Sequence, residues 1–315
     1  MRVTKFIFTV SSFLLLVLFA NGMYVLSKPG GSGRTVKPVP ISDYTGQTSI
    51  EPKYRHLESS INESTRVENP LNLLVLGLDR DGTRCDVIML FNFEPDLSRL
   101  NLLSIARDTR VRKDGRYTKI NALYSKGGEK LVAQKVTEIT GLPVHYYITM
   151  DFRGFRKSID TLGGVKFYVP FRMSYDDPTQ NLYIHLRKGM QLLDGKKAEQ
   201  LVRYRKGNYK GQGYTEGDIG RIKIQQDFIK ALIKQKVSLK YISRADDLFG
   251  ILQEYVKTNI ALTDITQHIG SIRKIKSDEI QTFTIPGESR MIGDVWYFIY
   301  DSKEIHNIIS KNFYN

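Results

Sequence analysis

The chain has 315 residues, 41% of them hydrophobic, which is enough to bury a substantial core. Its single cysteine, Cys85, excludes an intramolecular disulfide and a thiolate metal cluster, and its five histidines (His56, His145, His185, His268 and His306) lack zinc-ligand spacing. A formal charge of +14 demands anionic surroundings, which nucleic acid, an anionic membrane surface or phosphate-rich substrates would each satisfy.

The first element is a run without charge from Phe6 to Ser27, dominated by Phe, Leu, Val and Ile. At about 1.5 Å per residue, a helix of this length crosses a hydrocarbon core of about 30 Å. A single transmembrane anchor is therefore expected over residues 6–27, behind a cytoplasmic segment 1–5. A cleaved signal peptide competes, because Ala20-Asn21-Gly22 offers small residues at a cleavage position. The apolar run continues through Met23-Tyr24-Val25-Leu26 and favours the anchor. Either reading sends the body of the protein outside the cytoplasm. Residues 28–70, opening Lys28-Pro29-Gly30-Gly31-Ser32-Gly33, read as an extracytoplasmic stalk.

Beyond Pro70, runs of strand length alternate with helical periods, the pattern of one α/β domain over 71–315. Strands are predicted over 72–78, 87–93, 100–105, 144–150, 165–169, 280–285 and 295–300. Helices are predicted over 129–140, closed by Gly141, and over 152–162, closed by Gly163-Gly164. Further helices are predicted over 196–203, 218–236 with Asp218 as N-cap, 244–257, 263–274 and 303–311.

Charged groups collect where strands end. The strand Asn72-Leu-Leu-Val-Leu-Gly-Leu78 runs into Asp79-Arg80-Asp81-Gly82-Thr83-Arg84-Cys85-Asp86. Two carboxylates with interspersed arginines there suit a divalent cation bridging to phosphates, although an ordinary solvated hairpin turn is the plainer alternative. The strand 100–105 ends in Ala106-Arg107-Asp108-Thr109-Arg110, where Arg107 could fork onto phosphate with Asp108 holding it, or form a simple surface pair. Lys119-Ile120-Asn121 follows a basic turn and by itself indicates little. The richest basic cluster is Leu201-Val202-Arg203-Tyr204-Arg205-Lys206, followed by Asp218-Ile219-Gly220-Arg221 with Gln225 and Gln226. Arg221 and Gln225 share a helix face, and Asp218 is spaced to orient Arg221; the alternative is a solvated face. No Ser/His/Asp or Cys/His nucleophile stands out, so the set suits phosphoryl transfer by charge stabilisation better than acyl transfer.

These residues carry a resemblance. Leu76-Gly77-Leu78-Asp79, Arg84-Cys85-Asp86, Ser104-Ile105-Ala106-Arg107-Asp108-Thr109 and Lys119-Ile120-Asn121 form its first half. Asp160-Thr-Leu-Gly-Gly164, Gln180-Asn-Leu-Tyr-Ile-His185, Val202-Arg203-Tyr204-Arg205 and Asp218-Ile-Gly-Arg221 with Gln225-Gln226 complete it. In this order they resemble the LytR-CpsA-Psr proteins of the bacterial envelope. The resemblance implies a three-layer α/β/α fold around a mixed sheet, with an apolar tunnel for a polyprenyl tail. It implies that Arg84, Arg107, Arg203, Arg205 and Arg221 surround a pyrophosphate, with Lys119 and Gln225 beside it. Asp79 and Asp86 are implied ligands of magnesium or another divalent cation, and Asp79 is also the candidate for activating the acceptor hydroxyl. Asp79, Arg107 and Arg205 form the implied catalytic set. The implied reaction moves a teichoic acid or capsule-like glycopolymer from a polyprenyl-pyrophosphate carrier to a peptidoglycan sugar hydroxyl, giving a phosphodiester at the membrane.

Two positions depart from the family pattern: Cys85 where Ser is usual, and Ala106 where Pro precedes the Arg-Asp-Thr run. Neither removes a charge. The competing readings are a polyprenyl-pyrophosphate hydrolase, which differs only in using water as acceptor, a non-catalytic binder and an envelope-associated transcriptional attenuator. Nucleic acid is not expected as a partner, because an extracytoplasmic domain meets no DNA and no recognition module stands out.

Overall fold

The computed structural model describes residues 70–179, 181–209, 211–236, 254–260, 264, 268–272 and 274–313. The expected cytoplasmic segment, anchor and stalk lie outside these residues, apart from Pro70. Among the described residues no helix is long and apolar enough to cross a membrane.

In chain order the elements begin with strands β1 (Leu71–Leu78), β2 (Cys85–Glu94), β3 (Arg99–Ser104), β4 (Arg110–Lys113) and β5 (Arg116–Lys119). A 3₁₀ turn over Ile120–Leu123 leads into α1 (Tyr124–Thr140), then β6 (Tyr146–Met150), α2 (Phe152–Thr161) and β7 (Val165–Val169). Next come β8 (Met173–Asp177), β9 (Leu182–Leu186), β10 (Gly189–Leu193), α3 (Gly195–Arg203) and α4 (Asp218–Lys236). The C-terminal part holds β11 (Val256–Thr258), α5 (Ile269–Ile272), β12 (Gln281–Thr284), β13 (Gly287–Ile292), β14 (Val295–Tyr300) and α6 (Ser302–Asn312).

Six strands form one mixed sheet in the order β11-β6-β1-β2-β3-β12. β1, β2 and β3 are an antiparallel meander, while β6 joins β1 and β12 joins β3 in parallel. The apolar runs of β1 and β2 lack polar alternation because both faces are covered. Leu73, Met89 and Phe91 pack on one face against Ile159 of α2, Leu201 of α3 and Phe228 and Leu232 of α4. Leu74, Leu76, Ile88 and Leu90 pack on the other against Val132 and Val136 of α1 and Ile305 and Ile309 of α6. Each fully buried Leu or Ile contributes about 1.5–3 kcal/mol, so this two-faced burial is what fixes the register of the strands.

Caps follow local chemistry. Gly141 takes the left-handed conformation (φ 73°) and its N–H reaches Thr137 O at 2.8 Å, closing α1. Asp151 accepts from Gly154 N–H at 2.8 Å and opens α2.

Three expectations need correction. The helix expected over 244–257 does not reach its end, because Val256–Thr258 is an edge strand antiparallel to β6; residues 244–253 lie outside the described set. Asn259 holds that edge through Tyr147 N–H (2.8 Å) and His145 O (3.0 Å), side-chain contacts that hydrophobic periodicity does not encode. The second strand starts at Cys85, whose side chain is buried, and not at Val87. The hairpins β4–β5 and β8–β9, and strands β10 and β13, are absent from the predicted elements; they are short and partly exposed.

Candidate active site

The site is built at one end of the central meander, from the β1–β2 loop, the turn after β3 and the first turn of α4. The β1–β2 loop is organised by Asp79. Its carboxylate accepts from Thr83 N–H at 2.8 Å, Arg84 N–H at 3.1 Å and Arg84 Nε at 3.1 Å, while its own N–H donates to Arg84 O at 2.9 Å. Gly82 (φ 66°) supplies the turn between them. Burial on its own would raise the Asp79 pKa, but the hydrogen bonds from Arg84 and Thr83 outweigh it, and the carboxyl titrates below its ordinary range. Both Asp79 and Asp86 add to the burial that pushes the Cys85 thiol up, so the two carboxylates flank one buried, unreactive thiol.

After β3, Arg107 Nη1 donates to Asp86 Oδ1 at 2.5 Å. Asp108, expected to steady Arg107, instead pairs with Lys119 Nζ at 3.0 Å. The run Lys119-Ile120-Asn121 fixes the same turn through its backbone, with Ile120 N–H on Thr109 O (2.8 Å) and Asn121 N–H on Arg107 O (3.2 Å).

The third contribution comes from α4. Asp218, its first residue, pairs with Arg221 Nη2 at 2.7 Å and lies 3.8 Å from Arg205 Nε. It therefore sits inside the helix as a counter-ion, not before it as a cap. Gly220 is needed there, since a Cβ would fall 2.4 Å from the Cβ of Tyr214. Tyr214 N–H in turn donates to Arg205 O at 3.3 Å, so the loop 205–214 returns Arg205 to the start of α4.

Asp86 and Asp218 act on both half-buried Arg107 and buried Arg221, which makes one electrostatic group of the three segments. Burial opposes the charge on Arg107, but Asp86, Asp218 and Asp108 together raise its pKa. For Arg221 burial wins: its pKa is lowered, with Arg107 and Arg205 pushing the same way against Asp218 and Asp86. The Nε–H groups of Arg107 and Arg221 are buried and lack a hydrogen-bond partner. Unpaired buried donors on cations cost more than about 1–3 kcal/mol each, so such a cluster is completed by an anion.

Not every expected residue joins this group. Arg203 is committed to Glu199 Oε1 at 2.8 Å, with its guanidinium 4.7 Å over the Phe152 ring, and Glu199 also pairs with Arg156. Gln225 is buried and donates to Val202 O at 2.8 Å, which ties α4 to the end of α3 instead of presenting its amide to the cluster. Gln226 makes the matching tie to the sheet, donating to Ser104 Oγ (2.9 Å) and Phe283 O (2.8 Å). The sequence presents Asp218 as an N-cap and as an aid to Arg221, and it does not single out Glu199; the three- and four-residue spacings to Arg221 and Arg203 are the available signals.

For a cation, the donors at hand are Asp79 and Asp86. No group of three or more His, Cys, Asp or Glu side chains able to hold a metal occurs among the described residues. Magnesium is commonly held by one or two carboxylates plus substrate phosphates, and two carboxylates at adjacent strand ends beside guanidiniums fit that pattern.

A mixed sheet that gathers arginines and acids at its strand ends, with unpaired guanidinium N–H groups among them, defines a mixed α/β protein with a cationic cluster at one end of its sheet. The chain belongs to the LytR_cpsA_psr family, whose model matches residues 42–313. It is 29% identical over 95% of its length to the polyisoprenyl-teichoic acid–peptidoglycan teichoic acid transferase TagU of Oceanobacillus iheyensis, of which it covers 90%. It is also 29% identical to TagV of Bacillus subtilis, over 93% of this chain and 76% of the relative. The crystal structure of Bacillus subtilis TagV superposes with a TM-score of 0.65, at 29% identity, over 78% of this chain and 98% of that one.

Proposed function

We propose that the chain is a phosphotransferase that moves a glycopolymer such as a teichoic acid from a polyprenyl-pyrophosphate carrier to a peptidoglycan sugar hydroxyl. The observation that carries this reading is the group of half-buried Arg107, exposed Arg205 and buried Arg221 around Asp86 and Asp218, with the buried Nε–H donors of Arg107 and Arg221 left unpaired. The transferase names of TagU and TagV, relatives along nearly the whole chain, supply the substrate class.

In this reading the diphosphate enters among the three arginines, where forked donors neutralise charge that spreads over the phosphoryl oxygens as the bridge breaks. The acceptor oxygen forms the new P–O bond as the bridging P–O bond breaks, and the hydroxyl proton passes to the departing polyprenyl phosphate or to water. Lys119, steadied by Asp108, lies at the edge of the same turn and adds positive charge. Bound magnesium would supply Lewis-acid neutralisation of the phosphates, with Asp79 and Asp86 as its protein ligands. Arg84, whose side chain is 61% exposed, is free to swing onto a phosphate and release Asp79 Oδ2. Asp79 can then accept a hydrogen bond from the acceptor hydroxyl; its lowered pKa makes it a better cation ligand than a proton sink. A loose phosphoryl transition state requires little help from a base. The polyprenyl tail would have to enter the apolar layer between the sheet and helices α2, α3 and α4, which is filled by packed side chains in this structure. Residues 6–27 anchor the domain outside the membrane.

The test is reconstitution of the full chain with a lipid-linked glycopolymer and peptidoglycan. Appearance of polymer covalently joined to peptidoglycan, with release of polyprenyl phosphate, is expected. Release of polyprenyl phosphate with water as the only acceptor would make the chain a hydrolase.

A further inference from the structure

Lys119 connects the phosphate cluster to a surface for which the transfer chemistry has no use so far. It pairs directly opposite Arg110 on the β4–β5 hairpin, and Tyr117 pairs opposite Arg112. Side chains two apart in a strand share a face, so Lys119, Tyr117, Arg110 and Arg112 form one strip leading away from Asp108. The guanidinium of Arg110 lies 3.5 Å over the Tyr117 ring and 5.6 Å from the Tyr297 ring of β14, while its Nε is buried without a hydrogen-bond partner. Tyr117 is 52% exposed and Arg112 is exposed beside it. β14 is held against this hairpin by Phe298 N–H on Asp108 O at 2.9 Å, so the strip is anchored to the turn that carries Arg107.

Tyrosine rings held flat by a guanidinium are rigid, and each offers an electron-rich face at little entropic cost. Such faces suit the C–H side of a pyranose ring, and interleaved arginines suit carboxylates hanging from it. A chain of alditol phosphates would engage the arginines but has no flat ring to stack on the tyrosines. We propose that the strip of Tyr117, Arg110, Arg112 and Tyr297 docks the acceptor glycan strand and feeds its hydroxyl past Lys119 to the phosphate cluster. This rests on the transferase reading above and assigns the acceptor its side of the site.

The test uses the full chain in detergent without donor, titrated calorimetrically with a soluble peptidoglycan tetrasaccharide carrying its stem peptides. A polyprenyl pyrophosphate and a poly(glycerol phosphate) are titrated separately. Saturable glycan binding is expected, weakened about tenfold by Tyr117→Ala and by Arg110→Gln and restored to within about twofold by Tyr117→Phe, since loss of one exposed aromatic or arginine anchor is worth roughly 1–2 kcal/mol. Equal glycan affinity of Tyr117→Ala and the parent would overturn the assignment. So would poly(glycerol phosphate) displacing the glycan from the strip, which would give the strip to the donor polymer. If the glycan fails to bind while polyprenyl pyrophosphate binds, the docking strip falls and the transferase reading survives; if neither binds, both fall.

Discussion

Arg107 and Asp86, 21 residues apart, meet at 2.5 Å because antiparallel β2 and β3 bring the start of one strand beside the end of the other. This pair places a guanidinium at the mouth of the sheet with Nη1 neutralised and Nε unpaired. Replacing Arg107 with Ala should lower the transfer rate by about 10²–10³-fold, the range for loss of one charge-stabilising donor. Arg107→Lys keeps the charge but loses the fork and should fall between the two. Rates with lipid-linked donor, alongside an unchanged circular dichroism spectrum, are the check; parental activity in Arg107→Ala would remove Arg107 from the chemistry.

Asp218→Asn leaves Arg221 buried with its main counter-charge gone. Breaking a buried pair from one side costs about 3–5 kcal/mol, so the urea midpoint should drop clearly. Inorganic pyrophosphate should recover part of that loss in the variant, because a bound anion substitutes for the missing carboxylate. No effect of pyrophosphate on the variant's midpoint would argue that the arginines do not share an anion site.

Chelation should suppress transfer, and readdition of magnesium should restore it. Asp79→Asn should raise the magnesium concentration needed for half-maximal rate by about tenfold or more, since a neutral amide is a poorer ligand for a hard cation. An unchanged magnesium dependence in both Asp79→Asn and Asp86→Asn would place the cation elsewhere or nowhere.

Acid should destabilise the domain in two steps. Half-buried His145 accepts the Asn72 N–H through Nδ1 at 2.9 Å, and its burial lowers its pKa. A base with a depressed folded pKa keeps its stability above the unfolded value, about 6.5, and loses it as pH falls towards the folded value. The depressed carboxyl of Asp79 adds a second loss as pH falls below about 3.9. Urea midpoints followed from pH 7 to 3 measure this, and His145→Gln should flatten the first limb. Parallel pH profiles of the parent and His145→Gln between pH 7 and 5 would show that His145 contributes nothing.

Most of the central sheet was legible because β1, β2 and β3 are buried on both faces and read as unbroken apolar runs. The helix over 218–236 was equally clear, since its apolar residues recur at helical spacing and its ends match the structure. The short hairpin strands give a weaker signal: β13 is exposed along nearly all its length, β8 and β9 bury only Met173, Ile184 and Leu186, and all three gain their pairing from hairpin partners. For the same reason the tyrosine–arginine strip beside Lys119 was read only as a basic turn.

The inventory was written in the sequence: which strands end in charge, which glycines turn, and that lysines and arginines (47) outnumber aspartates and glutamates (33). Composition and local spacing are properties of neighbours along the chain, so they could be read there. Which groups pair follows from the folded arrangement alone. It gave Arg107 to Asp86 and not to Asp108, set Asp218 between Arg205 and Arg221, and turned Arg203 to Glu199. Coulomb energy and desolvation depend on separation in space and on burial, and both are unknown until the sheet has closed its register and α4 has packed against it.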